Sequence, residues 1–276
     1  MVFRQEENLF NILKNASTSE GQRLFGSFEL MGQAMYHFGR YLMLLGTMFV
    51  SMERPAIYYH NTLRETLSMG IGSLPIVLVS SVFVGAVMTL NTSYQLTTGL
   101  FPNSIIGTVV STTALMEFGP TVTSLLLAGK VGANIASQIG TMRVYEQVDA
   151  LEVMGVNSAS YLILPKILAS LLAFPILIII AAFLLHLGGL VAGEVTGEVN
   201  IGQFTAGVRQ YYDEFQVTFM MIKSVTFGLV ISTISSYQGF YVSGGPIEVG
   251  KASTRAVVVS SITILLMDFV LAQLLL

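Results

Sequence analysis

Across 276 residues, 53% are apolar and only 11% charged, with a formal net charge of −3. Soluble domains carry about 25% charged residues, so this chain lacks the side chains to cover a water-facing surface. The negative balance gives no electrostatic case for nucleic-acid binding, and the absence of cysteine removes disulfide frameworks, thiolate zinc sites and iron–sulfur clusters.

Charged residues are also unevenly spread. No Asp, Glu, Lys or Arg occurs between Glu65 and Glu117, between Lys166 and Glu194, or between Lys223 and Glu248. A membrane-spanning helix needs about 20 predominantly apolar residues, and each of these gaps is long enough. The fold class expected is an all-α integral membrane protein.

In chain order, Met1–Glu20 is polar and lacks the apolar segment of a cleavable signal peptide. Gly21–Val50 then places Leu24, Phe25, Phe28, Met31, Met35 and Phe38 at helical spacing beside Arg23, Glu29 and Arg40. Tyr41–Met52 is apolar but too short to cross a bilayer. This pattern predicts one or two amphipathic helices lying in the headgroup layer; the competing sixth span would bury Arg40 in lipid. Residues 1–60 therefore read as an N-terminal cytoplasmic and interfacial region, and residues 61–276 as a five-span membrane domain.

The five spans are expected over Met69–Tyr94, Ile105–Leu127, Ile163–Gly193, Val217–Tyr237 and Ala256–Leu276. Pro75, Pro120 and Pro175 fall inside the first three. Neighbouring helices and hydroxyls can satisfy the carbonyls they free, so kinks are expected rather than breaks. Lys and Arg gather before the first span, between spans two and three, and between four and five, whereas the loop after span three holds Arg209 alone. The positive-inside rule then puts the N-terminus in the cytoplasm and the C-terminus on the outer face.

Three constellations stand out. Ala128, Gly132, Ala136 and Gly140 repeat every fourth residue, a small-residue face that lets helix backbones approach closely, within the chain or across a dimer. Thr141–Gly155 reads as a short cytoplasmic amphipathic helix between spans two and three. Val144, Val148, Leu151 and Met154 form its apolar side, Glu146, Asp149 and Glu152 its acidic side, and Gly155 its stop. A solvated face is the ordinary meaning of such acids, but framing by two spans suits this helix to pass force from a soluble partner. The third constellation is Glu117, Lys223 and Asp268, ionisable residues inside spans, with His186 a weaker member. Such residues are costly in lipid and face an interior or a cavity. Lys223 and Asp268 fall at similar depth and can meet, as a structural ion pair or as a polar lining for a headgroup or a proton. The depth of Glu117 leaves its contact with both open.

No catalytic site is expected. Ala128-Gly-Lys-Val131 lacks the first glycine and the hydroxyl of a phosphate-binding loop. No Ser–His–Asp or His–Glu grouping occurs at useful spacing, and the three histidines stand far apart.

The run MEFGPTVTSLLLAGKVGANIASQIGTMRVYEQVDALEVMGV (Met116–Val156) resembles the signature of the MlaE/YrbE permease family. The likeness continues through Leu164-Pro-Lys166, Ile222-Lys-Ser-Val-Thr-Phe227, Gly250-Lys-Ala-Ser-Thr-Arg-Ala-Val-Val258 and Met267-Asp-Phe-Val270. It implies an interfacial helix followed by five spans, a homodimer, separate cytoplasmic ATPase subunits that use ATP and Mg, and an MCE-domain lipid-binding partner. It also implies phospholipid traffic between a bacterial inner membrane and the outer envelope. No cofactor is implied in this chain. The family's functional Glu, Lys and Asp fall on Glu117, Lys223 and Asp268, whereas Met116 replaces the basic residue that often precedes that Glu. A proton-coupled secondary transporter using the same three residues is the alternative; the lack of a second homologous half counts against it.

Overall fold

In the computed structural model, residues 32, 35–48, 55–96, 102–210 and 212–276 are described. The chain divides into two units, Met1–Thr47 and Met48–Leu276. Of the first, helix α1 (35–47) is described; the rest of the amphipathic region expected over Gly21–Val50 lies outside the described residues.

The second unit holds α2 (Pro55–Gln95), α3 (Ser104–Val144), α4 (Gln147–Val153), α5 (Ser158–Thr196), α6 (Ile201–Gln210), α7 (Glu214–Phe240) and α8 (Pro246–Leu275). No β-strand occurs among the described residues. Helices α2, α3, α5, α7 and α8 are long and apolar enough to cross a membrane, matching the spans expected from the sequence.

Their lengths differ from that expectation. The second span does not stop at Leu127; α3 continues to Val144. The reason is burial: Ala128, Gly132, Ala136 and Gly140 lie against other helices, so packing carries the helix past the end of the strongly apolar run. Within α3 the coil widens to π geometry over Ala114–Val122 and again over Ala128–Gly132. Pro120 sits in the first wide stretch, where its ring would otherwise crowd the preceding carbonyl. Pro75, Pro165 and Pro175 lie inside α2 and α5 without ending them.

Helix ends follow local chemistry. Asn157 caps α5 by accepting from the Ser160 N–H at 3.1 Å, and Asp213 caps α7 by accepting from the Phe215 N–H at 3.0 Å. Gly197, at φ 75°, turns the chain out of α5. The single helix expected over Thr141–Gly155 is instead two pieces. Residues 141–144 complete α3, Glu146 turns through φ 59°, and α4 begins at Gln147. An ion pair from Arg143 Nη1 to Asp149 Oδ1, 2.6 Å long, closes that turn. Gly155, at φ 78°, follows the end of α4.

Close backbone contact between α2 and α5 organises the bundle. A Cβ at Gly85 would overlap the Leu185 carbonyl, and one at Gly188 would overlap the Val82 carbonyl. The two glycines thus interlock across a parallel pair, the small-residue packing that apolar helices use in place of a hydrophobic driving force. Gly207 makes the same kind of approach to Ser104 at the α3–α6 contact.

Candidate functional site

Three spans bring their ionisable residues to one point. Lys223 on α7 has 0% of its side chain exposed, Asp268 on α8 has 18%, and Glu117 in the wide stretch of α3 has 42%. Lys223 Nζ donates to Asp268 Oδ1 at 2.6 Å and to Glu117 Oε1 at 3.0 Å. Its remaining donor reaches the Met116 carbonyl oxygen at 2.9 Å. Thr121 donates its hydroxyl to Asp268 Oδ1 at 3.0 Å, and the ammonium lies 4.5 Å from the centroid of the Phe219 ring.

Helix rise explains the meeting. At about 1.5 Å per residue, Lys223 and Asp268 lie roughly 12–14 Å along their helices from Glu214 and Leu276. The π turn brings Glu117 to the same place, a contact that depth alone left open. An ammonium has three N–H donors, and here each has an acceptor. Burying a lone ammonium in a medium of low dielectric costs several kcal/mol; two carboxylates and a carbonyl offset that cost. Position 116 contributes through its backbone oxygen, so the methionine side chain there leaves this contact intact. His186 is engaged elsewhere: its Nδ1 lies 2.6 Å from the Ala182 carbonyl oxygen and its Nε2 2.9 Å from Ser111 Oγ.

The Permease MlaE family matches this chain over residues 62–274, a range that contains all three site residues. The chain belongs to the MlaE permease family. It is similar to a probable ABC transporter permease protein of Rickettsia bellii, 38% identical over 224 residues, covering 81% of this chain and 86% of that one. It is similar also to a probable ABC transporter permease protein of Synechocystis, 33% identical over 258 residues, covering 92% and 90%. The intermembrane phospholipid transport system permease protein MlaE of Haemophilus influenzae is 28% identical over 263 residues, covering 94% and 97%. The chain is thus an ABC transporter permease, a multi-pass membrane protein that is not itself catalytic. Among the described residues there is no His, Asp or Glu grouping that could hold a metal ion.

The other sequence-marked residues of the permease occupy distinct places. Ala128, Gly132, Ala136 and Gly140 are buried. Gly132 faces Ile231 and Ser235, Gly140 faces Val242 and Val249, and Gly239 sits against the Ala136 backbone. The small-residue face is therefore covered by the same chain. In α4, Val148 is fully buried and Leu151 half-buried, but Met154 is exposed together with Val153 and Tyr145. Of the acids, Asp149 pairs with Arg143, Glu152 accepts from Ser158 Oγ at 2.7 Å, and Glu146 occupies the turn. The outward face of α4 thus mixes acidic and apolar side chains, instead of separating them as a wheel over one continuous helix suggests.

A second buried lysine, Lys166 near the start of the third expected span, carries no motif that marks it as a paired residue. Lys166 lies in α5 with little exposure and donates to Glu65 Oε1 of α2 at 2.6 Å and to Gln138 Oε1 of α3 at 2.7 Å. A signal existed: Glu65 and Lys166 are the last charges before two long charge-free runs, and helices that enter the membrane from the same side place them side by side. Lys130, beyond the expected end of the second span at Leu127, lies in α3 and donates to the Gly72 carbonyl of α2.

Proposed function

We propose that this permease is the membrane subunit of an ABC system that moves phospholipid between a bacterial inner membrane and the outer envelope. It works as a homodimer, with cytoplasmic ATPase subunits consuming ATP and Mg and an MCE-domain protein receiving or delivering lipid. Its N-terminus lies in the cytoplasm and its C-terminus on the outer face, an orientation supported by the distribution of Lys and Arg. The likeness to the Haemophilus protein named for intermembrane phospholipid transport supports the lipid class.

The observation that carries this reading is the Glu117–Lys223–Asp268 group, a polar point set among apolar spans. A phospholipid presents an anionic phosphate and apolar tails, so its path needs an apolar chamber with few polar groups. Lys223 has no spare donor, so a phosphate reaches it by replacing one carboxylate. Glu117, the most exposed of the three, is the partner that gives way, and Lys223 keeps an anionic neighbour throughout. The α4 segment, with Glu146, Asp149, Leu151, Glu152 and Met154, is the contact for the ATPase. The proton-coupled alternative has no observation of its own in its favour.

Co-purification tests the assembly. The full chain, expressed in its native host with a C-terminal affinity tag, is expected to bring down a stoichiometric ATPase and an MCE-domain protein. Recovery of the chain alone, from mild detergent that keeps its dimer, would contradict the reading.

A further inference from the structure

Between the Pro55 end of α2 and the Ser158 end of α5 lies an apolar cleft of about 650 Å³, within the ~300–1,000 Å³ typical of small-molecule sites. Tyr58, Tyr59 and Thr62 form one wall and Leu164, Leu168 and Leu172 the other. Tyr59, Leu168 and Leu172 are exposed at its mouth, whereas Tyr58 is buried and its hydroxyl lies 2.7 Å from Ser160 Oγ, which fixes the floor.

One polar group in this cleft is unaccounted for. Thr62 is 9% exposed, and its Oγ1 is buried without a hydrogen-bond partner. Threonine in an apolar helix ordinarily returns its hydroxyl to the preceding turn, as Thr66 does to the Thr62 carbonyl and Thr92 to the Met88 carbonyl. Leaving such a hydroxyl unpaired is costly, so its place on the wall of a cleft points to an acceptor from outside the chain.

The depth of the cleft says what kind. Glu65 and Lys166 are the last charges before the apolar runs of α2 and α5, and the cleft lies beside them. It therefore straddles the boundary between headgroups and acyl chains, where tyrosines gather. The molecule present there with an uncharged acceptor beside a long apolar tail is a glycerolipid, through its ester carbonyl. We propose that this cleft binds one acyl chain of a membrane diacyl glycerolipid, with Thr62 Oγ1 donating to the ester carbonyl and Leu164, Leu168 and Leu172 packing along the chain. The site is separate from Lys223, which lies towards the opposite end of the bundle, and it does not rest on the transport reading.

Photolabelling tests it. The full chain with its co-purifying partners is placed in nanodiscs of phosphatidylethanolamine and phosphatidylglycerol, with a trace of phosphatidylethanolamine bearing a diazirine on the acyl chain near the ester. Adducts mapped by mass spectrometry are expected on the Tyr58–Thr62 and Leu164–Leu172 peptides, in excess over the exposed apolar residues Ile262, Leu265 and Phe269 of α8. Leu168→Trp, which fills the cleft, should cut those adducts about tenfold and leave the α8 adducts unchanged. Thr62→Val, which removes only the hydroxyl, should weaken labelling by roughly fivefold, the worth of one hydrogen bond. Labelling no stronger than on α8 and indifferent to both substitutions would mean ordinary annular lipid and overturn the site. Photo-adducts that instead join the cleft to residues before Pro55, in a chain with a diazirine amino acid at Leu168, would overturn it too, since the chain itself would then fill the space. Lipid transport does not enter either readout, so failure here leaves the proposed function standing.

Discussion

Lys223 Nζ and Asp268 Oδ1 lie 2.6 Å apart and tie α7 to the far end of α8. The buried residues of α8 end at Ile264, so Asp268 anchors a stretch that otherwise has little packing to hold it. Lys223→Ala should destabilise the permease by about 3–5 kcal/mol, because it leaves a carboxylate desolvated without its counter-charge. Replacing Lys223 and Asp268 together by leucine should recover most of that loss. Thermal unfolding in detergent checks this, and equal damage from the single and the double change would contradict it.

Interlocking glycines make a second prediction. Gly85→Ala and Gly188→Ala each drive a methyl group into the backbone of the facing helix, and overpacking of that kind costs about 1–3 kcal/mol. Gly129→Ala meets nothing within 4 Å and should be neutral or stabilising by up to about 1 kcal/mol through helix propensity. Fluorescence-detected size exclusion after graded heating separates the three variants.

The Lys166 brace joins α2, α3 and α5 through Glu65 and Gln138. Lys166→Ala should cost about 3 kcal/mol, whereas Glu65→Gln keeps an acceptor and should cost roughly 1 kcal/mol. The order of these two midpoints in a thermal melt is the check; a Glu65→Gln loss as large as that of Lys166→Ala would count against it.

For the α4 contact, Glu146→Lys combined with Glu152→Lys should release the ATPase while the permease stays inserted. Val153, 89% exposed, and Met154 supply the apolar part of that surface, so Val153→Asp with Met154→Asp should weaken the association at least as much. Pull-down of the ATPase by the tagged permease measures both, and unchanged recovery would remove α4 as the contact.

The number of spans was readable because charge-free runs are long and leave no other course for the chain. The end of α3 was not, since residues past Leu127 are small and weakly apolar, and only their burial against α7 and α8 keeps them helical. Depth along the helices allowed Lys223 and Asp268 to meet, and they do. The arrival of Glu117 depends on a π turn around Pro120 that residue spacing does not reveal. Lys166 and Glu65 each read as a boundary charge in the sequence, and their pairing needs the parallel register of α2 and α5. That register is set by Gly85 and Gly188; the neighbouring Gly189 and Gly193 stand at close-packing spacing, but the spacing does not say which helix packs against them.

The central claim is that phospholipid passes the Glu117–Lys223–Asp268 group on its way through the membrane. Its most direct measurement is ATP-dependent movement of a labelled phospholipid by the purified complex reconstituted in vesicles, comparing the native permease with Lys223→Ala at matched amounts of assembled complex. Loss of ATP-dependent movement with the complex intact is the result expected. Undiminished movement by a correctly folded Lys223→Ala/Asp268→Ala permease would contradict the claim, because the group would then be neither a lipid contact nor a necessary brace.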